Sequence, residues 1–205
     1  DIVTQGTGAD ESIWGDEASN TVTGGAGNDV VYGGDNGNDY LDGGSGNDTL
    51  YGDAGSDTYY FGRGSGQDII HDVQLIGSRR LNSAGGADKL VFGPDIDPTD
   101  LDVIQLSSQD VEIRIRGTED KVRIIRQLSG GFRNGYEWLE SFEFADGTIW
   151  SRTDLNTRLR TVESNIIDGT IADETLTGTA LNDVISGGDG NDQLIGDDGQ
   201  VLEKY

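Results

Sequence analysis

Aspartate is the residue type with most chemistry to offer in this chain. Of its 38 acidic residues 28 are Asp and only 10 are Glu, against 14 Lys and Arg. The 33 glycines are interleaved with those aspartates at short, repeating spacings. Carboxylates beside carbonyls that glycine leaves free to turn are a donor set for Ca²⁺, which takes six to eight hard oxygens at about 2.3–2.6 Å. The skew toward Asp also argues against an acidic helical protein, because Asp suits turns and Glu suits helices. Other chemistries lack their parts. With no Cys there is no disulfide, zinc–thiolate site or cysteine nucleophile. With one histidine, His71, a Ser-His-Asp triad has a single candidate base, and no second His or Cys can join it around zinc.

The aspartates keep a period of nine. Gly24-Gly25-Ala26-Gly27-Asn28-Asp29 opens one unit, and Gly33-Gly34-Asp35-Asn36-Gly37-Asn38-Asp39 opens the next with one extra residue. Gly43-Gly44-Ser45-Gly46-Asn47-Asp48 and Gly52-Asp53-Ala54-Gly55-Ser56-Asp57 follow. Degenerate units begin at Gly6 and Gly15, with Glu11 and Asn20 in the Asp place, and a variant with Gly62, Gly64, Gly66 and Asp68 closes the block. The period returns from Gly169 with Glu174, from Gly178 with Asp183 and from Gly187 with Asp189 and Asp192.

Two residues after each Asp position stands an apolar residue: Ile13, Val22, Val31, Leu41, Leu50, Tyr59, Leu176, Ile185 and Leu194. One apolar residue in nine makes no helical stripe. Three-residue strands joined by six-residue glycine turns do fit, stacked in parallel about 4.8 Å apart with the apolar residues lining a thin core. That stacking also places each Asp over its counterpart in a neighbouring coil, where the carboxylates repel unless something neutralises them. An EF-hand is excluded because no Asp-rich stretch carries its Gly and Glu, and no helix or Gly-Lys-Ser/Thr follows the glycines to make a nucleotide site.

Gly-Gly-x-Gly-x-Asp-x-apolar-x resembles the nonapeptide of RTX (repeats-in-toxin) proteins, over residues 6–72 and 169–199. The resemblance implies an all-β fold with right-handed parallel β-roll blocks, two nonapeptides per coil, and several Ca²⁺ ions between loops two repeats apart. It implies ligands from Gly25, Gly27 and Asp29 with Gly43, Ser45 and Asp48, and on the opposite edge from Gly34, Gly37 and Asp39 with Gly52, Ala54 and Asp57. Gly44, Gly46 and Asp48 would pair with the closing variant through Asp68, and Thr7, Ala9 and Glu11 with Gly24, Ala26 and Asp29. Asn20 lacks the charge for the site it would share with Gly33, Asp35 and Asp39; Gly55 is a further candidate. In the last block Glu174 goes with Gly187, Asp189 and Asp192, while Asp183 lacks most of a partner loop.

Charge and composition divide the chain at 1–72, 73–168 and 169–205, with net charges of −13, −4 and −7 out of a total of −24. Residues 109–116 alternate as a strand, with Val111, Ile113 and Ile115 on one face; Val122 and Ile124 point inward from another. Tyr136, Trp138, Phe142 and Phe144 read as one face, Ala145-Asp146-Gly147 as a hairpin turn, residues 94–101 as a loop with a helical turn, and Thr153 as the cap of a short helix through Arg160. Ala87 to Phe92 with Glu140 to Thr148 resembles the haemolysin-type calcium-binding related domain, which implies a β-rich cap over the open end of a roll. Trp14, Trp138 and Trp150 are weighed as a sugar platform against plain packing, and Arg114, Arg116, Arg123 and Arg126 as a basic stripe against pairing with neighbouring acids.

A sequence pI near 4.1 speaks against nucleic-acid and anionic-membrane partners. No apolar run reaches the ~18–20 residues of a membrane span, and residues 1–5 carry no signal-peptide pattern. The expectation is a non-enzymatic, calcium-dependent folding module of a larger bacterial protein, a toxin, adhesin or exoenzyme, secreted by the type I machinery as the resemblance implies. The alternatives are a calcium-dependent carbohydrate- or receptor-binding adhesive module and the tail of a secreted hydrolase.

Overall fold

A computed structural model describes residues 2–72, 86–128, 138–160, 172–177, 191 and 193–195, and the backbone of the strands at 75–76, 79–80, 161, 165–168, 183–186 and 201–204. The first block yields β1 (Val3–Gln5) ahead of its first repeat, then β2 (Ser12–Trp14), β3 (Thr21–Ala26), β4 (Val30–Tyr32), β5 (Tyr40–Ser45), β6 (Thr49–Tyr51) and β7 (Thr58–Phe61), each just after an Asp position, and β8 (Gln67–His71), which contains Asp68. A two-stranded pair, β9 (Leu75–Ile76) and β10 (Arg79–Arg80), follows. The middle of the chain gives β11 (Lys89–Phe92), a 3₁₀ turn at Pro98–Asp100, β12 (Leu101–Gln105), β13 (Val111–Ile115), β14 (Lys121–Ile124), β15 (Ser141–Glu143), β16 (Ile149–Ser151), α1 (Arg152–Arg158) and β17 (Leu159–Thr161).

Alternate repeats feed alternate sheets. One sheet runs β1-β3-β5-β7-β11-β15-β16 and the other β17-β12-β13-β14-β8-β6-β4-β2. The repeat strands pair in parallel, as a β-roll requires, because successive coils advance in one direction. Their central side chains are buried while their neighbours are half exposed. Val22, Leu41, Tyr59, Leu90 and Phe142 stand in one paired row, and Ile13, Val31, Leu50, Ile70 and Ile124 in the other. Both rows join a single apolar core.

Those rows cross the compositional boundary at residue 72 without a change of register. β11 adds to β7 and β14 adds to β8, both in parallel, so the middle segment carries both sheets onward. It then turns antiparallel, through β12-β13-β14 on one sheet and β15-β16 on the other. The chain packs as two compact units, Asp1–Arg160 and Thr161–Tyr205. The second unit contains β18 (Asn165–Asp168), β20 (Asp183–Ser186) and β22 (Val201–Lys204) in one parallel sheet, and β19 (Thr175–Thr177) with β21 (Gln193–Ile195) in another.

The hairpin at Ala145-Asp146-Gly147 forms as expected, with the Phe144 N–H donating to the Thr148 carbonyl at 2.9 Å. The helix differs from expectation. Its cap is Ser151, whose hydroxyl accepts from the Asp154 N–H while Asp154 answers to the Ser151 N–H, and it ends at Arg158. A capping box satisfies two end donors at once, which Thr153 has no acidic partner to do. Trp138 is half-buried under the Arg152 guanidinium at 3.7 Å, and Leu139 takes the core position in its place. Tyr136 lies outside the described residues.

Candidate calcium ladder

The glycine turn that opens each repeat fixes its Asp at or just before the start of a strand, and the parallel register stacks these residues two repeats apart. Each carboxylate then reaches back one coil. Asp29 Oδ1 accepts the N–H of Glu11 at 2.8 Å, Asp48 Oδ1 that of Asp29 at 2.7 Å, and Asp68 Oδ1 that of Asp48 at 3.0 Å. On the opposite edge Asp39 accepts from Asn20 at 2.7 Å, Asp57 from Asp39 at 2.9 Å, and Asp88 from Asp57 at 2.7 Å. All six acceptors are no more than 3% exposed. The structure thus brings together Glu11, Asp29, Asp48 and Asp68 on one edge, and Asp39 and Asp57 on the other.

Only half of each carboxylate is satisfied this way. Oδ2 of Asp29, Asp39, Asp48 and Asp57 is buried without a hydrogen-bond partner. A buried anionic oxygen left unpaired costs several kcal/mol in a dry site, so it calls for a cation or a proton. Burial accordingly pushes Asp39 and Asp48 up to about 6, and Asp57 and Asp68 up to about 8. A side chain at Gly24, Gly33, Gly43 or Gly52 would strike Oδ2 of Asp29, Asp39, Asp48 or Asp57, so the first glycine of each unit is what lets the carboxylate lie over the loop. Gly46, at φ 138°, further rests on the Gly27 carbonyl, where a side chain has neither the conformation nor the room.

Carbonyls of the candidate glycine loops approach these oxygens: that of Gly43 stands with Asp29 Oδ2 over Gly24, and that of Gly52 with Asp39 Oδ2 over Gly33. Gly25 faces Gly44 and Ala26 faces Ser45 across β3 and β5. The Ser45 carbonyl accepts the Gly27 N–H at 3.0 Å and the Gly55 carbonyl that of Gly86 at 2.5 Å, each keeping a second lone pair. Gly34, Gly37 and Ala54 lie in the loops of the opposite edge, and the Asp35 side chain is exposed in an outer groove with Trp14, Asp16 and Tyr32. These donors, all hard oxygens, suit Ca²⁺.

Two degenerate positions behave differently from the rest. Glu11 Oε2 bends back onto its own loop and accepts the Thr7 N–H at 2.5 Å. Asn20 turns its amide nitrogen into the loops, donating to the carbonyls of Ala18 at 2.6 Å, Asp16 at 3.1 Å and Gly33 at 3.1 Å. A donor therefore sits where carbonyls of two adjacent loops converge.

Sequence reading missed a second ladder. The fifth residue of each unit links the coils at the surface: Asn28 Oδ1 accepts the Asn47 N–H at 2.9 Å, Asn38 Oδ1 that of Ser56 at 2.8 Å, and Asn47 Oδ1 that of Gln67 at 2.9 Å. The recurrence of Asn at 28, 38 and 47 was the signal for it. Asp88, which the sequence reads as a continuation of the roll ahead of the Leu90-Val91-Phe92 strand, is a further rung, and Glu140 was missed as one. The Asp88 N–H donates to Glu140 Oε2 at 2.6 Å, so the ladder runs from the repeats into the middle segment. No period announces Glu140.

The remaining candidates are structural. His71 closes a stack of rings, Trp14, Tyr32, Tyr51 and His71, at centroid separations of 5.6, 4.9 and 4.8 Å. Burial and the nearby Arg123 hold its pKa below the ordinary value. Trp150 is 3% exposed against Phe144, so the three tryptophans share no platform. Arg114, Arg116 and Arg123 pair with Glu112, Asp102 and Asp110, each at 2.6 Å, so the basic stripe is neutralised. Gly187, Asp189 and Asp192 lie outside the described residues; Asp183 opens β20, and Glu174 accepts the Gln193 N–H through its carbonyl at 2.8 Å.

Residues 5–36, 34–68 and 168–200 match the RTX calcium-binding nonapeptide repeat family, and residues 110–154 the haemolysin-type calcium binding protein related domain. No curated protein matches the chain. Among solved structures it is similar to the AlgE6R2 subunit of the Azotobacter vinelandii mannuronan C5-epimerase, at 21% identity over 69% of this chain and 92% of that one with a TM-score of 0.44. It is also similar to the AlgE6R3 subunit of that enzyme, at 24% identity over 57% and 71% with a TM-score of 0.37. The chain is an all-β assembly of RTX calcium-binding nonapeptide repeats, which bind Ca²⁺, with a haemolysin-type calcium-binding related segment between its two blocks.

Proposed function

We propose that this chain is a calcium-dependent folding and structural module of a larger bacterial protein secreted by the type I machinery, with no catalytic site of its own. The observation that carries the reading is the set of four buried, unpartnered Asp oxygens in a chain of net charge −24. Without a counter-ion the loops repel and the thin core cannot hold them together. At cytosolic micromolar calcium the blocks stay open and pass through the exporter unfolded. At extracellular millimolar calcium, sites of about 10⁻⁴–10⁻³ M fill, and mass action draws folding with them. RTX repeats are typical of secreted bacterial proteins, which fits that division of labour.

The ligands follow the stacked pairs: Gly25, Gly27 and Asp29 with Gly43, Ser45 and Asp48; Gly34, Gly37 and Asp39 with Gly52, Ala54 and Asp57; and Asp48 with Asp68. Bound calcium supplies positive charge to the unpaired oxygens; the chain supplies the carbonyls, the rigid stacking and the exclusion of water. Toxin, adhesin or hydrolase activity, and any receptor or glycan partner, belong in this reading to the parent polypeptide. Circular dichroism tests it: a disordered spectrum in chelator and a β-rich one in millimolar Ca²⁺ are expected, with Mg²⁺ a poor substitute because it demands octahedral, largely hydrated geometry. An identical β-rich spectrum in chelator overturns it.

A further inference from the structure

Asp57, Asp72 and Asp88 meet where the repeats join the middle segment. One carboxylate oxygen from each lies within 4.8 Å of the other two, and the three residues are 0%, 3% and 3% exposed. Asp57 precedes β7, Asp72 follows β8 and Asp88 precedes β11, so the cluster gathers both sheets of the roll and the first added strand. Asp72 belongs to no nonapeptide. Its Oδ1 accepts the Tyr59 hydroxyl at 2.9 Å, and Asp88 Oδ1 accepts the Asp57 N–H at 2.7 Å. With the Asp39 N–H on Asp57 Oδ1, that makes three neutral donors, which do not offset three carboxylates in a dry site. Asp57 Oδ2, wholly buried, has no hydrogen-bond partner and lies with the Tyr59 hydroxyl over Gly52, on the side of Asp72.

At the other end of the same edge stands Asn20, 4% exposed. Its amide nitrogen meets the carbonyls of Asp16 and Ala18 in one loop and Gly33 in the next, and its own N–H is held by Asp39. A neutral N–H₂ group shares its two hydrogens among those three carbonyls without bringing the charge that would need an ion.

We infer that the ions this chain holds depart from its motif's count at two places: Asp57, Asp72 and Asp88 hold a further divalent cation, Ca²⁺, inside the junction, and the Asn20 amide takes a cation's place between the loops at 15–20 and 33–39. The inference rests on the reading that the stacked aspartates bind calcium. Three carboxylates from three segments make an all-oxygen site, which Ca²⁺ accepts with its tolerance of irregular, high coordination. Filling it fastens β11 onto β7 and so joins the middle segment to the roll. In the folded roll the Asn20 clasp joins these two loops without an ion.

One experiment separates these statements. The 205-residue chain is crystallised with Ca²⁺, calcium is located by long-wavelength anomalous diffraction, and ions per chain are counted by native mass spectrometry in the wild type, Asp72→Asn and Asn20→Asp. Expected are density among Asp57, Asp72 and Asp88, none between Asn20 and Gly33, one ion fewer in Asp72→Asn and one more in Asn20→Asp. A filled Asp29–Asp48 position beside an empty junction, or an unchanged count in Asp72→Asn, overturns the junction site. Should Asp72→Asn not fold, the wild-type density decides alone. Calcium beside Asn20 in the wild type, or no gain in Asn20→Asp, overturns the clasp. No calcium at Asp29–Asp48 overturns the proposed function itself.

Discussion

At the scale of the residue, the controlling fact is a carboxylate with one oxygen spent on a backbone N–H and the other buried without a partner. Asp48 occupies the middle of its edge, receiving the Asp29 N–H and donating its own N–H to Asp68. Asp48→Ala is therefore expected to raise the calcium midpoint of folding on the order of tenfold, about 1.4 kcal/mol, and Asp183→Ala by less. A titration of both variants followed by circular dichroism checks this. The pH dependence follows from the same oxygens. Folded-state values near 6 for Asp39 and Asp48 and near 8 for Asp57 and Asp68 lie above the ~3.9 of an unfolded Asp. Raised carboxylates favour the protonated fold, so in chelator their contribution is present below about pH 4 and lost as pH rises from 6 through 8. Calcium-free protein is expected to gain β structure on acidification, and calcium affinity to fall over the same range as protons compete for Oδ2. Chelated samples scanned from pH 8 to 4 give the first result, and calcium titrations at each pH the second.

At the scale of the element, three-residue strands have too little surface to stand alone, and what they lack comes from the middle segment. Phe142 extends the row of Val22, Leu41, Tyr59 and Leu90 and is wholly buried. Phe142→Ala is expected to cost about 3–5 kcal/mol in urea unfolding with calcium present. Gln127 acts through hydrogen bonds instead. Its side chain holds both backbone groups of Leu139, donating to the carbonyl at 2.8 Å and accepting the N–H at 2.9 Å, and is wholly buried. Gln127→Leu strands both groups away from water, at about 1–3 kcal/mol each, and the same measurement reads that loss.

At the scale of the whole molecule, the unit Asp1–Arg160 has its repeats and its middle segment in the same two sheets. A fragment ending at residue 72 leaves β7 and β8 as bare parallel edges and exposes Tyr59 and Ile70, which β11 and β14 otherwise cover. Residues 1–72 are expected to remain disordered at calcium concentrations where residues 1–160 fold cooperatively. Parallel calcium titrations of the two fragments measure the difference; equal midpoints would mean that β11 and β14 are dispensable to the roll.

The nonapeptide was legible because one short unit specifies everything local about itself. Glycine at the turn, Asp before the strand and an apolar residue at its centre, as in Gly43, Asp48 and Leu50, fix the strand, its inward face and its stacking partner from spacing alone. Calcium chemistry followed, since only hard oxygens recur. What lay beyond the sequence arises from contacts between segments that share no period. Glu140 became a rung only because β11 adds to β7 and β15 to β11 in register, 52 residues along the chain from the Asp88 N–H that it accepts. Leu139 displaced Trp138 from the core because Gln127 holds its backbone, which no alternation pattern records. Asn20 read as a missing charge, and only the convergence of three carbonyls on its amide makes it a clasp. Repetition writes the ladder into the sequence, whereas its ends and its exceptions are set by which strands meet, a property of the folded chain alone.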